Sequence, residues 1–304
     1  SSLGIQPIIN CQGTYTILSG SRCLPQVAEA MLLATDSYVQ MDELMEAAGR
    51  RLHELTGAPW GYVSCGCAAA LCEVACAAIA GGDPEKMARL PDTAGMPNEI
   101  IIQRAHRNAY DRALRLAGGV MIQVTTTAEL EAAFNAHTAL VVVVGDQVYL
   151  GHISTEEMIA AAHRHGLPCL VDAAAERPDV PNRYLALGAD AVAYSGGKCL
   201  RGPQASGLVL GRKDLLQAAF LNSAPHHGVG RPMKTKGGGI IPSGKRPSLM
   251  LLVCEPNAMV STARPSGVKS PIDSPVAESL KLTCNWPWPD CSVSSSAHAN
   301  RKPP

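Results

Sequence analysis

The run Leu140-Val141-Val142-Val143-Val144, the pattern over 155–165, the run Leu167-Pro168-Cys169-Leu170-Val171-Asp172 and then Ala191-Val192-Ala193-Tyr194 decide the fold. Five apolar residues in succession leave a strand no wet face, so 140–144 reads as a strand buried on both sides of a sheet. Residues 155–165 carry a helical pattern, with Ser154 or Thr155 as the N-cap. A second apolar strand over 167–171 delivers Asp172, and a third over 191–194 follows a short helical stretch at 182–187. Short buried strands alternating with amphipathic helices predict a largely parallel sheet covered on both faces.

The same alternation extends in both directions. Upstream, strands are expected at 62–63, 100–102 and 120–124, and helices at 26–34, 42–55, 66–80, 109–117 and 127–135. Leu44, Ala48, Leu52 and Leu55 form one stripe of the 42–55 helix, which Gly57 and Pro59 stop. Downstream, a strand at 207–210 precedes a helix at 213–221. Past Met233 the pattern breaks: Gly237-Gly238-Gly239 opens a Pro- and Ser-rich stretch in which only 249–253 looks strand-like. The expectation is an α/β domain over 1–234, preceded by an extended arm, and an irregular or disordered tail over 235–304.

Twenty-six basic and 26 acidic side chains cancel, so no broad basic surface for nucleic acid is implied. No run is long and apolar enough to span a bilayer. No basic segment leads into an apolar one at the N-terminus, so no signal peptide is read there. The 11 cysteines are scattered through apolar segments, which points to reduced thiols in a cytoplasmic protein. Cys65, Cys67, Cys72 and Cys76 are the densest group. No close His or second CxxC pair completes a ligand set, so they are taken as small core residues and no metal is expected.

In an open parallel sheet, ligands bind beyond the carboxyl ends of the strands. Three such ends carry suitable groups. The turn Ser64-Cys65-Gly66-Cys67 joins a strand to a helix, where backbone N–H groups and the helix dipole can hold a phosphate; an ordinary connection looks the same. Asp172 is a strand-end carboxylate. It suits either a helix cap, an ion pair with Arg177, or the protonated ring nitrogen of pyridoxal 5'-phosphate (PLP). In Ser195-Gly196-Gly197-Lys198, the glycines permit a tight turn and close approach of a cofactor, the serine can bond phosphate, and Lys198 is an amine suited to a Schiff base; a surface lysine after a glycine turn is the plain alternative. The combination favours a PLP site: Asp172, a lysine 26 positions later after another strand, and a phosphate-type turn upstream. An NAD site is disfavoured, because no glycine fingerprint follows the first strand.

Several runs resemble the selenocysteine synthase-like family of fold-type I PLP enzymes. They are Val171-Asp172-Ala173-Ala174-Ala175-Glu176, Leu187-Gly188-Ala189-Asp190, Tyr194-Ser195-Gly196-Gly197-Lys198-Cys199-Leu200-Arg201-Gly202-Pro203-Gln204 and Gly207-Leu208-Val209-Leu210-Gly211. The likeness also takes in Ile9-Asn10-Cys11-Gln12-Gly13-Thr14, Met41-Asp42-Glu43-Leu44, His106-Arg107-Asn108-Ala109-Tyr110-Asp111 and Gly228-Val229-Gly230-Arg231-Pro232-Met233-Lys234. It is similar above all to the branch without tRNA chemistry, which includes D-glucosaminate-6-phosphate ammonia-lyase.

The resemblance implies a fold-type I large domain with PLP as cofactor. Lys198 would be its Schiff-base lysine, Asp172 the partner of the ring nitrogen, and Ser64, Cys65, Gly66, Cys67 and Ser195 the phosphate holders. His106 would lie near the ring or substrate, and Arg231 and Arg201 would meet a substrate anion or a neighbouring subunit's phosphate. The implied partners are a small amino substrate and a second copy of the chain, in a homodimer or higher homo-oligomer. The family's tRNA-binding N-terminal region has no counterpart here and the chain is not basic, which argues against tRNA. The likeness stops near Lys234, where the tail stands in place of a small C-terminal domain. Two functions are therefore expected as alternatives: a lyase or transferase acting by Cα deprotonation and β-elimination or replacement, or a truncated non-catalytic paralogue that binds PLP or a full-length subunit.

Overall fold

The computed structural model describes residues 3–234 and two short paired strands, Pro242–Ser243 and Ser248–Leu249, all inside one compact unit spanning Ser1–Pro256. The remainder of the irregular tail expected over 235–304 lies outside the described residues.

Seven strands form the central sheet: β1 (Trp60–Ser64), β2 (Glu99–Gln103), β3 (Val120–Val124), β4 (Thr138–Val144), β5 (Cys169–Asp172), β6 (Ala191–Ser195) and β7 (Gly207–Gly211). Their order across the sheet is β1-β7-β6-β5-β4-β2-β3. Strands β3, β2, β4, β5 and β6 are mutually parallel, while β7 runs antiparallel to both β6 and β1. Two reversals restore direction, so β1 points the same way as the parallel set. All seven residues of β4 are buried, whereas in the edge strand β3 only Val124 is. That contrast is the reason 140–144 reads as an unbroken apolar run.

Two groups of helices cover the sheet. Helix α3 (Cys67–Ala80) lies against β1 and β4 to β7 and packs on α5 (Asp111–Leu116) and α9 (Lys213–Leu221). Helix α7 (Thr155–Arg164) packs on β4 and β5 beside α6 (Thr127–Ala133). Alanine and cysteine fill the buried face of α3, and their small side chains let the helix lie close to the strands. Helix α2 (Met41–Thr56) closes the β1 edge with Leu44, Ala48 and Leu52 buried. Gly49 on that helix makes room for Trp60, whose Nε1 would stand 2.0 Å from an added Cβ. The remaining helices are α1 (Pro25–Ala34), α4 (Pro84–Arg89) and α8 (Arg183–Ala186).

Some boundaries differ from the sequence expectation, for local reasons. Helix α4 was not foreseen, because six residues carry no visible period. Its signals were Asp83, whose carboxylate accepts from Glu85 N at 2.9 Å, and Pro84 in the first turn. Helix α5 starts later than 109 because Asn108 Oδ1 accepts from Tyr110 N at 2.8 Å and holds a turn there. Ser154 is the cap of α7, accepting from Glu157 N at 3.1 Å.

Candidate active site

The parallel direction of β1, β2, β4, β5 and β6 brings Ser64, Gln103, Val144, Asp172 and Ser195 to one edge of the sheet. Antiparallel β7 begins at that same edge, with Gly207 in register with both Ser64 and Ser195. The candidate residues of the strand-end motifs therefore share one rim.

The phosphate-type turn is built by backbone. Ser64 Oγ donates to Gly66 O at 2.9 Å, and Gly66 adopts φ 147°, a conformation that favours glycine. An added Cβ on Gly66 would meet nothing within 4 Å, so the space before the turn is open. Helix α3 begins immediately after with no side-chain cap, and its first intrahelical bond runs from Ala70 N to Gly66 O. The earlier N–H groups have no acceptor within the helix and lie at the positive end of its 14 residues, an arrangement suited to cradle an anion. Gly207 backs this cradle. A Cβ there would stand 2.6 Å from Ser64 Oγ and 2.9 Å from Cys67 N.

The lysine turn is equally tight. Gly196 N donates to Ser206 O at 2.7 Å, and Gly202 N to Gly196 O at 2.7 Å. A Cβ on Gly196 would come 1.9 Å from Ser206 Oγ, and one on Gly197 would come 2.8 Å from Gln204 Cα. The N-terminal arm fastens the turn from outside, through Ser21 N to Gly197 O at 2.8 Å and Leu24 N to Arg201 O at 3.0 Å. Ser195 and Lys198 are both half-buried.

Asp172 is buried, and its Oδ1 accepts from Ala174 N at 3.0 Å and from the thiol of Cys67 at 3.3 Å. Cys67 is the first residue of α3, so one side chain joins the phosphate turn to the strand-end acid. Burial first, and then the Asp172 carboxylate, push the Cys67 thiol well above its ordinary range, while the positive charge of Lys198 pulls the other way. Cys65 is half-buried on the turn, its thiol raised by burial and then by Glu73.

His106 is fully buried in a short 3-10 turn, Arg104–His106, directly after β2. Its Nδ1 accepts from Val144 N at 3.4 Å, which assigns the ring proton to Nε2. Val144 is paired in register with Asp172, so His106, at the end of β2, is linked through β4 to the strand end that carries the acid. A small recess lies beside Val144 and Asp172, lined also by Leu71, Asn108, Tyr110 and Asp111. Asn108 and Tyr110 are rim residues that no periodicity marks; only their place two and four positions after His106 hints at it.

Of the two arginines, one belongs to the lysine turn, where Arg201 N donates to Lys198 O at 3.0 Å, and the other to a separate loop. Arg201 is exposed, at φ 52° on the outer side of the lysine turn. Arg231 donates to Pro225 O at 2.9 Å within its own loop, and that loop rests on α3 at Glu73 and Gly81. Among the described residues, no group of three or more His, Cys, Asp and Glu gathers as a metal-binding set. No described helix is long and apolar enough to cross a membrane.

The aminotransferase class-V family model matches residues 108–234. D-glucosaminate-6-phosphate ammonia lyase of Salmonella typhimurium is 36% identical over 243 residues, which cover 76% of this chain and 64% of that one. A solved structure of D-glucosaminate-6-phosphate ammonia-lyase superposes with a TM-score of 0.73 at 35% identity, over 78% of this chain and 66% of the other. L-seryl-tRNA(Sec) selenium transferase of Mannheimia succiniciproducens is 28% identical over 251 residues, 70% of this chain and 50% of that one. The chain fits the fold-type I PLP family. Another relative, the 5'-C-glycyluridine monooxygenase-decarboxylase of a Streptomyces species, is 35% identical over 245 residues, 76% of this chain and 60% of that one. This family member spans between half and two thirds of the length of these relatives.

The cofactor of the family is PLP, and the residues present fit it. Uncapped N–H groups at the start of α3 suit a phosphate, the Gly207 and Gly196 positions leave no room for a Cβ behind it, a buried carboxylate touches Cys67, and a half-buried lysine follows the neighbouring strand end.

Proposed function

We propose that this chain holds PLP through Lys198 and Asp172. We further propose that it acts as a lyase or transferase on a small amino substrate, an amino acid or an amino sugar phosphate, by Cα deprotonation followed by β-elimination or replacement. The observation that carries this reading is that buried Asp172 touches Cys67 of the phosphate turn at the same sheet edge from which Ser195 leads into the Lys198 turn. PLP, when bound, supplies an electron sink for charge left at Cα.

The chain's own residues supply the rest. The N–H groups at the start of α3, with Ser64 and Ser195 beside them, hold the phosphate. Asp172 sets a negative charge against the ring nitrogen. Lys198 Nζ anchors the cofactor and then carries the proton removed from Cα. His106, held by Val144 N through Nδ1, stands ready beside the ring or substrate. Two relatives at 35–36% identity carry names of small-molecule enzymes, and the balanced charge of this chain implies no broad basic surface for tRNA. A homodimer or higher homo-oligomer belongs to the same reading. It is supported by Leu3, Ile5, Ile8, Ile9 and Ile17, which the N-terminal arm leaves in solvent.

Added PLP should give the protein a visible absorption band. Borohydride should abolish the band, and peptide mapping should place the fixed group on Lys198. Lys198→Ala should lack the band while its melting curve stays close to that of the parent chain. A parent chain with no band, or fixation to another lysine, refutes the reading.

A further inference from the structure

We infer that Cys67 is a positioning residue whose thiol donates to Asp172 Oδ1 and fixes that carboxylate in the orientation the PLP ring needs. The inference rests on the proposed function for its ligand, and on the geometry of this chain for the contact.

The phosphate turn alone gives position 67 only a backbone duty, since any residue there can offer its N–H. The side chain has a separate one. It is buried, with 6% of its surface exposed, and its Sγ lies 3.3 Å from Asp172 Oδ1, 105 residues away in sequence. The same oxygen takes Ala174 N at 3.0 Å. Two donors on one oxygen fix the rotation of the carboxyl about its Cβ–Cγ bond. Alanine at 67 would remove one of these two donors. A protonated thiol is required for this duty, and burial together with the carboxylate keeps it protonated. Lys198 opposes that effect, so the three groups form one electrostatic unit.

The test compares Cys67→Ser, which keeps a donor, with Cys67→Ala, which keeps a small buried group without one. Both full-length variants are titrated with PLP and followed by visible absorption, with melting curves to confirm folding. Loss of a hydrogen bond to a charged group implies that Cys67→Ala holds PLP about tenfold more weakly. Cys67→Ser should stay within about threefold of the parent, since it keeps that bond. Alanine equal to the parent, or serine as poor as alanine, overturns the inference, because packing alone would then decide the outcome.

A second arm needs no cofactor. In the PLP-free chain, the pH dependence of Cys67 alkylation, mapped by peptide mass, should lie above that of ordinary thiols. Asp172→Asn should move it down by removing the anion. An unchanged profile in Asp172→Asn also overturns the inference. A parent chain that shows this dependence yet takes up no PLP strikes at the proposed function instead, and leaves the contact itself established.

Discussion

Glu73 gives a quantitative handle on the same helix. It lies on α3 with no solvent exposure, accepting from Tyr62 Oη at 2.8 Å and Ser223 Oγ at 2.6 Å. The thiols of Cys72 and Cys76 share its surroundings, and Cys65 feels its charge. Burial outweighs the two donors and lifts the carboxyl from 4.5 to about 7. Between those values the folded chain keeps a proton that the unfolded chain has released. Stability from this group is therefore complete below pH 4.5 and is lost as pH rises through about 7. At about 1.4 kcal/mol for each pH unit, the full loss is about 3 kcal/mol. Glu73→Gln keeps the shape and removes the ionisation. Urea unfolding of the parent and variant at pH 5 and pH 8 should show the stability gap shifting by about 2–3 kcal/mol in favour of glutamine at the higher pH. A gap that is the same at both pH values refutes the reasoning, because the loss would then come from packing and not from a buried charge.

Three further outcomes are expected. Gly207→Ala should weaken PLP uptake by at least about tenfold in an absorbance titration while costing under about 2 kcal/mol in stability, since its Cβ presses on Ser64 Oγ and Cys67 N; undiminished uptake would remove β7 from the cradle. Asp190→Ala should destabilise by about 2–4 kcal/mol in chemical unfolding. Its buried carboxylate joins Cys169 N at 2.8 Å, Arg212 Nη1 at 2.6 Å and His163 Nε2 at 3.0 Å at the end of the sheet remote from the site. PLP uptake should be retained wherever the variant is folded. Gly49→Ala should lower the melting temperature by several degrees, on the order of 1–3 kcal/mol, as Trp60 is forced from its slot.

The sheet was legible because its central strands are buried on both faces and must be apolar throughout, which makes 140–144 and 169–172 stand out. Strand-end chemistry was legible for the same reason: Asp172 and the Ser195–Lys198 turn are polar interruptions placed where buried strands stop. Strand direction and order were not. Nothing in Gly207-Leu208-Val209-Leu210 marks β7 as antiparallel, because a buried strand has the same composition either way. Helix α4 and the late start of α5 turn on single side-chain caps, below the length at which a hydrophobic period registers.

The contact between Cys67 and Asp172 shows where such reading stops. Residue 67 follows one strand and residue 172 ends another, and neither fact brings them together. Their meeting requires β1 to point the same way as β5 although β7 and β6 lie between them, and it requires α3 to be slim enough for its first turn to reach across. The alanines and cysteines of α3 provide the second condition, and the double reversal through β7 provides the first. The cluster of cysteines at 65, 67, 72 and 76, read as inert small core residues, therefore divides by position. Cys72 and Cys76 are fully buried on α3, whereas Cys67 at its first turn is placed to touch the acid. Composition alone cannot make that division, because it depends on which strand end lies opposite the start of the helix.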